Sequence, residues 1–224
     1  VSLKSVRLHP PILANKNYQV HGVDVNQSTV DTINKGNIHI VEPELDEFVR
    51  SAVESGSLKA ALTPQASDIF IIAVPTPFHE GFVPNIDYIV SATKMIAPYV
   101  KEHDIVILES TSPIGTTDKV EEVLKENGVD TSKIFIAHCP ERVLPGQIMK
   151  ELVENDRIVG GTTSEATEKT VKFYKTFVSG EVLSTDAKTA EMAKLTENSF
   201  RDTNIAFANE LSMLCDKFDI DVWE

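Results

Sequence analysis

Lys194, Asn198 and Arg201 have the residue types of a site for an anionic ligand or a developing oxyanion. They stand at i, i+4 and i+7 in a segment without proline or glycine from Asp186 to Phe218, so a helix would project all three from one face. A lysine beside an alcohol or carbonyl stabilises the negative oxygen that forms when hydride leaves or water attacks. A solvated charged stripe is the alternative, and this pattern alone leaves both open.

A single carboxylate follows the first apolar run of the chain. Residues 18–23 (YQVHGV) predict a strand that ends at Asp24, where an acid accepts hydrogen bonds from a ribose in open α/β sheets. Such an acid normally follows a G-x-G-x-x-G turn about 20 residues upstream, whose backbone amides bind a pyrophosphate. Residues 1–11 contain no glycine. The sequence therefore leaves open whether this is a dinucleotide-binding protein, the remnant of one, or neither.

Three further predicted strands end in short polar or proline-containing loops. The loops cover residues 74–77 (VPTP), 109–111 (EST) and 138–142 (HCPER). Because ligands in open α/β sheets bind beyond the carboxyl ends of the strands, we expect these loops to line one site together with Asp24. Each loop alone is also typical of an ordinary turn, and their coincidence favours a site.

The elements that must position these residues alternate between strands and helices, which predicts an α/β fold: a Rossmann-like doubly wound parallel sheet followed by a long central α-helix. Further predicted strands cover residues 58–62, 68–74, 104–108, 134–137, 157–159 and 182–183. Predicted helices cover residues 28–34, 44–54, 86–97, 116–127, 164–177 and 186–218. Glycines follow the first, second and fourth of these helices, as expected of C-terminal caps.

Composition excludes several classes of protein. A net charge of -13 over 224 residues argues against nucleic-acid or anionic-membrane partners, although a small anionic substrate remains compatible. The two cysteines show no C-x-x-C spacing and the six histidines no H-E-x-x-H spacing, so we expect a reducing, cytoplasmic location and no metal site. No apolar run reaches the roughly 18 residues that a membrane helix needs.

Five stretches resemble the UDP-glucose/GDP-mannose dehydrogenase family of UDP-sugar 6-dehydrogenases, in its N-acetylhexosamine branch. They are VHGVDVN, AVPTP, ESTSPIGTT, HCPERVLPG and TAEMAKLTENSFRDTNIAFANEL, and their order and spacing match from about residue 12 to residue 224. The resemblance implies an oxidoreductase of polysaccharide biosynthesis that oxidises the C6 alcohol of a UDP-N-acetylhexosamine, UDP-N-acetylmannosamine, to the uronic acid. It implies two hydride transfers to NAD, through an aldehyde and a cysteine-bound thioester.

The resemblance also implies roles for single residues. Those matched to catalysis are Lys194, Glu141 and Asn198. Those matched to the cofactor site are Asp24, Thr76 and Thr111. Those matched to the substrate site are Arg142, Val143, Lys194, Asn198 and Arg201. Glu141 would act through water or by positioning groups, and the charge of Asp24 would disfavour the 2′-phosphate of NADP. UDP-glucose enzymes have PEFL where this chain has PERV.

The same resemblance divides the chain into an NAD-binding domain at residues 1–183 and the start of a central helical domain at residues 184–224. It implies a homodimer through the central helix, and it implies a nucleophilic cysteine and a UDP-binding domain that have no counterpart in these residues. Cys139 does not match that nucleophile, and we expect Cys215 to be a small core residue. We therefore expect the chain alone to form no uronic acid.

Two alternatives remain at this point. One is another β-hydroxyacid-type dehydrogenase, since these enzymes also place a K-x-x-x-N pair on a helix behind a Rossmann domain, although the PERVLPG loop argues against it. The other is a non-catalytic module that dimerises through the 186–218 helix.

Overall fold

The computed structural model describes residues 12–14, 18–38, 45–143 and 146–223. Its strands are β1 (Val20–Val23), β2 (Leu58–Ala61), β3 (Ile69–Ile72), β4 (Ile105–Leu108), β5 (Phe135–His138), β6 (Arg157–Gly161) and β7 (Val182–Asp186). Its helices are α1 (Gln27–Asn34), α2 (Leu45–Glu54), α3 (Asp87–Ile96), α4 (Thr116–Glu126), α5 (Ile148–Glu154), α6 (Ser164–Tyr174) and α7 (Ala187–Lys217). Short 3-10 helices cover Glu80–Phe82, Ala97–Tyr99 and Thr131–Lys133, and residues 12–14 are also helical.

Each predicted strand and helix is present, with bounds that differ by a few residues. The helix α5 was not predicted, because a seven-residue segment with only two buried residues, Ile148 and Leu152, shows too little periodicity. No helix in the described part of the chain is both long enough and apolar enough to cross a membrane.

The described strands form two sheets. β1 and β2 pair in parallel, and the larger sheet has the order β3-β4-β5-β6-β7. The prediction of a Rossmann-like parallel sheet is confirmed, with one departure: β6 runs antiparallel to β5, whereas the other described pairs are parallel. β6 therefore starts at the edge where β5 ends.

Hydrophobic clusters cover both faces of the larger sheet. In β4, Val106 and Leu108 pack in one cluster with residues of α3 and α4, while Ile107 packs in the other with residues of α5 and α6. This two-sided burial is the reason that the strand has a continuous apolar sequence rather than an alternating one. A third cluster holds α1 and α2 against β1 and β2.

The long helix α7 is buried only at its beginning. Its N-cap residue Asp186 accepts hydrogen bonds from the backbone nitrogen of Thr189 (3.0 Å) and from its hydroxyl (2.6 Å), as is typical of an aspartate at this position. The buried residues of this helix are Ala187, Ala190, Glu191 and Lys194. The core position expected for Cys215 is wrong: this residue is half-buried, and the other described residues from 198 to 223 are exposed.

Candidate functional site

The loops after β3, β4 and β5 lie at one edge of the larger sheet. These strands are neighbours and parallel, with Ile72 opposite Leu108 and Leu108 opposite His138. Ser110 joins the first two loops, because its hydroxyl accepts from the nitrogen of Val74 (2.7 Å) and donates to the oxygen of the same residue (2.9 Å). The predicted grouping of the three loops is thus present. Two of these loops contain Thr76 and Thr111, both half-buried, and their cofactor roles stay predictions.

Asp24 lies directly after β1 and is half-buried. Its Oδ1 accepts a hydrogen bond from the nitrogen of Asn26 at 2.8 Å, which fixes the carboxylate at the carboxyl end of a parallel strand. An acid in this position fits the ribose of a dinucleotide. The segment in which a glycine-rich turn was expected and not found, residues 1–11, lies outside the described residues.

Lys194 is the buried cation of the site, with 9% of the residue exposed. Burial lowers the pKa of its ammonium group below the ordinary value, and the positive charges of Arg142 and Arg201 act in the same direction. The carboxylate of Glu197 opposes this shift from one helical turn away, with 3.7 Å between Nζ and Oε2. The lysine therefore gives up its proton more readily than a solvent-exposed lysine.

Glu197 is the centre of a cluster of three cations. The guanidinium group of Arg142 donates two hydrogen bonds to Glu197, from Nε to Oε2 at 3.1 Å and from Nη2 to Oε1 at 3.3 Å. Arg201 approaches Oε1 at 3.7 Å. Burial favours the neutral acid, but the Arg142 hydrogen bonds and the Lys194 charge outweigh it and lower the pKa of Glu197. The sequence analysis missed this residue, although its i+3 spacing from Lys194 and i−4 spacing from Arg201 are those of helical ion pairs.

The antiparallel pairing of β6 with β5 brings Glu141 next to the residues that bind its side chain. Ala137 lies opposite Gly161 and His138 opposite Gly160, and continuing this register beyond β5 brings Arg157 beside Glu141. Arg157 Nη1 is 3.4 Å from Glu141 Oε1, and the nitrogen of Arg142 donates to the same oxygen at 2.8 Å. Arg157 is 1% exposed. Sequence reasoning missed it because it looked like an ordinary strand residue.

The other polar side chains beneath this loop are uncharged at neutral pH. Burial lowers the pKa of His138 to about 4 and raises the pKa of the Cys139 thiol to about 12. Burial also raises the pKa of Tyr174 well above its usual value. Because the thiolate is the nucleophilic form of cysteine, Cys139 is a poor nucleophile. Among the described residues no group of three or more histidine, cysteine or acidic side chains is arranged for a metal ion.

The remaining predicted substrate residues differ in their surroundings. Asn198 is exposed one turn after Lys194, and Arg201 is exposed beside Glu197. Val143 packs against the core cluster of α5 and α6. A cleft of about 270 Å³ is lined by Arg142, Glu151, Asn155, Asp156, Glu197 and Arg201. Pockets for drug-sized ligands measure about 300–1,000 Å³, so this cleft suits one polar group of a ligand better than a whole nucleotide sugar.

Glu191 anchors the beginning of α7, and with it Lys194, to the loop after β4. Its Oε2 accepts from the nitrogen of Gly115 (2.6 Å), and its Oε1 accepts from the nitrogen (2.7 Å) and the hydroxyl (2.6 Å) of Thr117. These donors lie at the N-terminus of α4, where free N–H groups and the helix dipole favour a carboxylate. The sequence analysis did not single out this residue.

Comparison with known protein families gives two matches along the chain. Residues 9–178 match the NAD binding domain of the UDP-glucose/GDP-mannose dehydrogenase family. Residues 188–224 match the central domain of the same family.

Individual relatives are similar over nearly all of the chain. A UDP-N-acetyl-D-mannosamine dehydrogenase of Campylobacter jejuni is 57% identical, over 95% of this chain and 55% of that protein. An NDP-N-acetyl-D-galactosaminuronic acid dehydrogenase of Ralstonia nicotianae is 53% identical, over 95% of this chain and 52% of that protein. The solved structure of UDP-D-ManNAc dehydrogenase from Pyrococcus horikoshii superimposes with a TM-score of 0.92 at 39% identity, over 96% of this chain and 52% of that one. This chain thus spans about half the length of these relatives.

Proposed function

Because the chain belongs to the UDP-glucose/GDP-mannose dehydrogenase family, we propose that it serves the NAD-dependent oxidation of the C6 alcohol of a UDP-N-acetylhexosamine to the uronic acid. UDP-N-acetylmannosamine is the proposed substrate, in line with the name of the Campylobacter jejuni relative. The proposed setting is polysaccharide biosynthesis. The family matches favour this function over that of a β-hydroxyacid dehydrogenase, the alternative that the sequence had left open.

One observation carries the proposal: a buried lysine, Lys194, lies one helical turn before Glu197, a carboxylate that is paired with Arg142 of the loop after β5. Oxidation of an alcohol removes a proton from its oxygen and a hydride from its carbon. A buried cation stabilises the negative oxygen more strongly than an exposed one, because low polarity strengthens the interaction. Lys194 is therefore assigned the stabilisation of the oxygen of the substrate alcohol as it becomes negative.

The chain's own residues suit the cofactor that the family match implies. Asp24, Thr76 and Thr111 would hold NAD, with the carboxylate of Asp24 at the ribose. NAD, when bound, supplies the hydride acceptor. Glu141, held by Arg142 and Arg157, is assigned the positioning of water or of the substrate hydroxyl. Four residues are assigned to binding of the sugar nucleotide: Arg142, Val143, Asn198 and Arg201. Asn198 is also assigned a catalytic role beside Lys194.

The surroundings of the two cysteines argue against a role for either one in the second oxidation. Cys139 is fully buried, and burial raises the pKa of its thiol to about 12. Cys215 lies 21 residues beyond Lys194 on α7, which at 1.5 Å per residue is about 30 Å along the helix. A thioester at the C6 carbon needs a thiol within bonding distance. We therefore expect the chain alone to form no uronic acid.

Binding and product analysis test the proposed function. Titration should show that the chain binds NAD in preference to NADP, and Asp24→Asn should reduce that preference. Incubation with NAD and UDP-N-acetylmannosamine, followed by mass spectrometry and NADH absorbance, should show no uronic acid. Sustained turnover to the uronic acid would refute the cysteine argument. Failure to bind either NAD or UDP-sugars, or preferred oxidation of small hydroxy acids, would refute the proposed function.

Assembly and location are part of the same proposal. We expect a homodimer through the exposed part of α7, a cytoplasmic location, and no nucleic-acid or membrane partner. The boundary between the NAD-binding domain at residues 1–183 and the central helical domain at residues 184–224 also stays a prediction.

A further inference from the structure

Glu109, the last residue before Ser110 in the loop after β4, is a buried acid without a role in the proposed function. It is 2% exposed, directly after a strand with three fully buried residues. The carboxyl group of Glu141 and the charge of Arg157 both act on this buried carboxyl group. Two neighbouring carboxyl groups away from water favour a shared proton, since two carboxylates would repel each other and neither could donate.

The charges around Glu109 and Glu141 also favour one retained proton. Arg157 is 1% exposed, and its Nη1 lies 3.4 Å from the carboxylate of Glu141. Cys139 and Tyr174 also face the cluster, and burial holds both in their neutral forms. Lys194 lies farther out and is nearest to Glu197. Two carboxylates against one buried guanidinium would leave an uncompensated charge away from water, and one retained proton removes it.

Exposure decides which acid carries the proton. The Glu141 side chain is 21% exposed and also accepts from the nitrogen of Arg142, as a carboxylate does. Glu109 is shielded from water on all sides. Burial, followed by the neighbouring Glu141 charge, raises the pKa of Glu109 well above its usual value.

We propose that Glu109 stays protonated in the folded protein and donates its hydrogen bond to the carboxylate of Glu141, acting as a positioning residue that fixes the charge and orientation of Glu141. The role of Glu141 in oxidation rests on the proposed function. The proton on Glu109 does not, because it follows from the folded chain alone.

Infrared spectroscopy of the purified chain tests this inference at pH 7, where exposed carboxyl groups are ionised. The wild-type chain should show the C=O stretching band of a protonated carboxylic acid, which shifts in D2O. Labelling with ¹³C-glutamate should shift this band, which separates it from Asp104, the other described acid with a raised pKa. Glu109→Gln should lose the band.

The matched control is Glu191→Gln, because Glu191 is equally buried but accepts hydrogen bonds with both oxygens. This variant should keep the band. A wild-type chain without a glutamic acid band at pH 7, or a band that survives in Glu109→Gln, would overturn the inference. The wild-type measurement decides even if a variant fails to fold, and the NAD and UDP-sugar titrations test the proposed function separately.

Discussion

At the scale of single residues, the protonation of Lys194 depends on one neighbouring carboxylate. Burial lowers its pKa, and Glu197 at 3.7 Å is the group that most strongly opposes the shift. Arg142 and Arg201 share this carboxylate and themselves repel the lysine charge. Glu197 thus holds together three cations that would otherwise repel each other. Only the cations of this cluster had been predicted from the sequence.

Glu197→Gln should lower the pKa of Lys194 further, because it removes the attractive charge and leaves both arginines. The measurement is NMR titration of reductively ¹³C-methylated lysines, with the Lys194 signal assigned by its loss in Lys194→Arg. Glu210→Gln is the control, since this residue is exposed 16 residues beyond Lys194, about 24 Å along the helix. An unchanged or higher Lys194 pKa in Glu197→Gln would contradict this view of the cluster.

At the scale of elements, α7 is attached to the sheet by a small number of buried contacts near its start. The carboxylate of Glu191 caps α4 and so connects the two helices through three hydrogen bonds. Nearby, Lys188 and Asp118 connect the same two helices at 3.0 Å, but on the exposed surface. The two links differ in burial, and their contributions to stability should differ accordingly.

Glu191→Gln should reduce the free energy of unfolding by about 1–3 kcal/mol, because an amide in place of the carboxylate leaves a buried N–H donor unsatisfied. Urea denaturation measures this change. Lys188→Ala, which breaks the exposed pair, should leave the midpoint nearly unchanged, because water already solvates both charges. Equal effects of the two substitutions would show that the Glu191 link does not anchor α7.

At the scale of the whole molecule, the second half of α7 presents an apolar stripe to solvent. Residues at i, i+7, i+11, i+14 and i+18 share one helical face. They are Phe200, Phe207, Leu211, Leu214 and Phe218, all exposed. Several large apolar side chains exposed on one face are typical of an interaction site, which supports the proposed dimer.

Phe207→Glu should convert the proposed dimer into a monomer, because it places a charge in the middle of the stripe on a side chain that is 69% exposed in the single chain. Analytical ultracentrifugation measures the mass. Asn209 lies on the opposite face of the helix, so Asn209→Asp should leave the dimer intact. A monomeric wild-type chain, or a Phe207→Glu variant that remains dimeric, would refute association through this stripe.

The sequence by itself determined the features that depend on neighbouring residues. The apolar run of β4, the N-cap of α7 at Asp186 and the unbroken length of that helix follow from local periodicity and capping, and the structure has all three. The regular alternation of strands and helices also indicated parallel strands, as the structure has for β3, β4 and β5. For the same reason the three loops could be assigned to one edge of the sheet before any coordinates were known.

Only the tertiary structure decided which distant residues meet. The reversed direction of β6 brings Arg157 to Glu141, and the fold buries Glu109 beneath them. It also buries the first part of α7 and leaves the apolar residues of the second part exposed, although the helix is continuous from Ala187 to Lys217. Local patterns indicate which face of an element is apolar. They do not indicate what packs against it, because that depends on pairings between residues far apart in the chain.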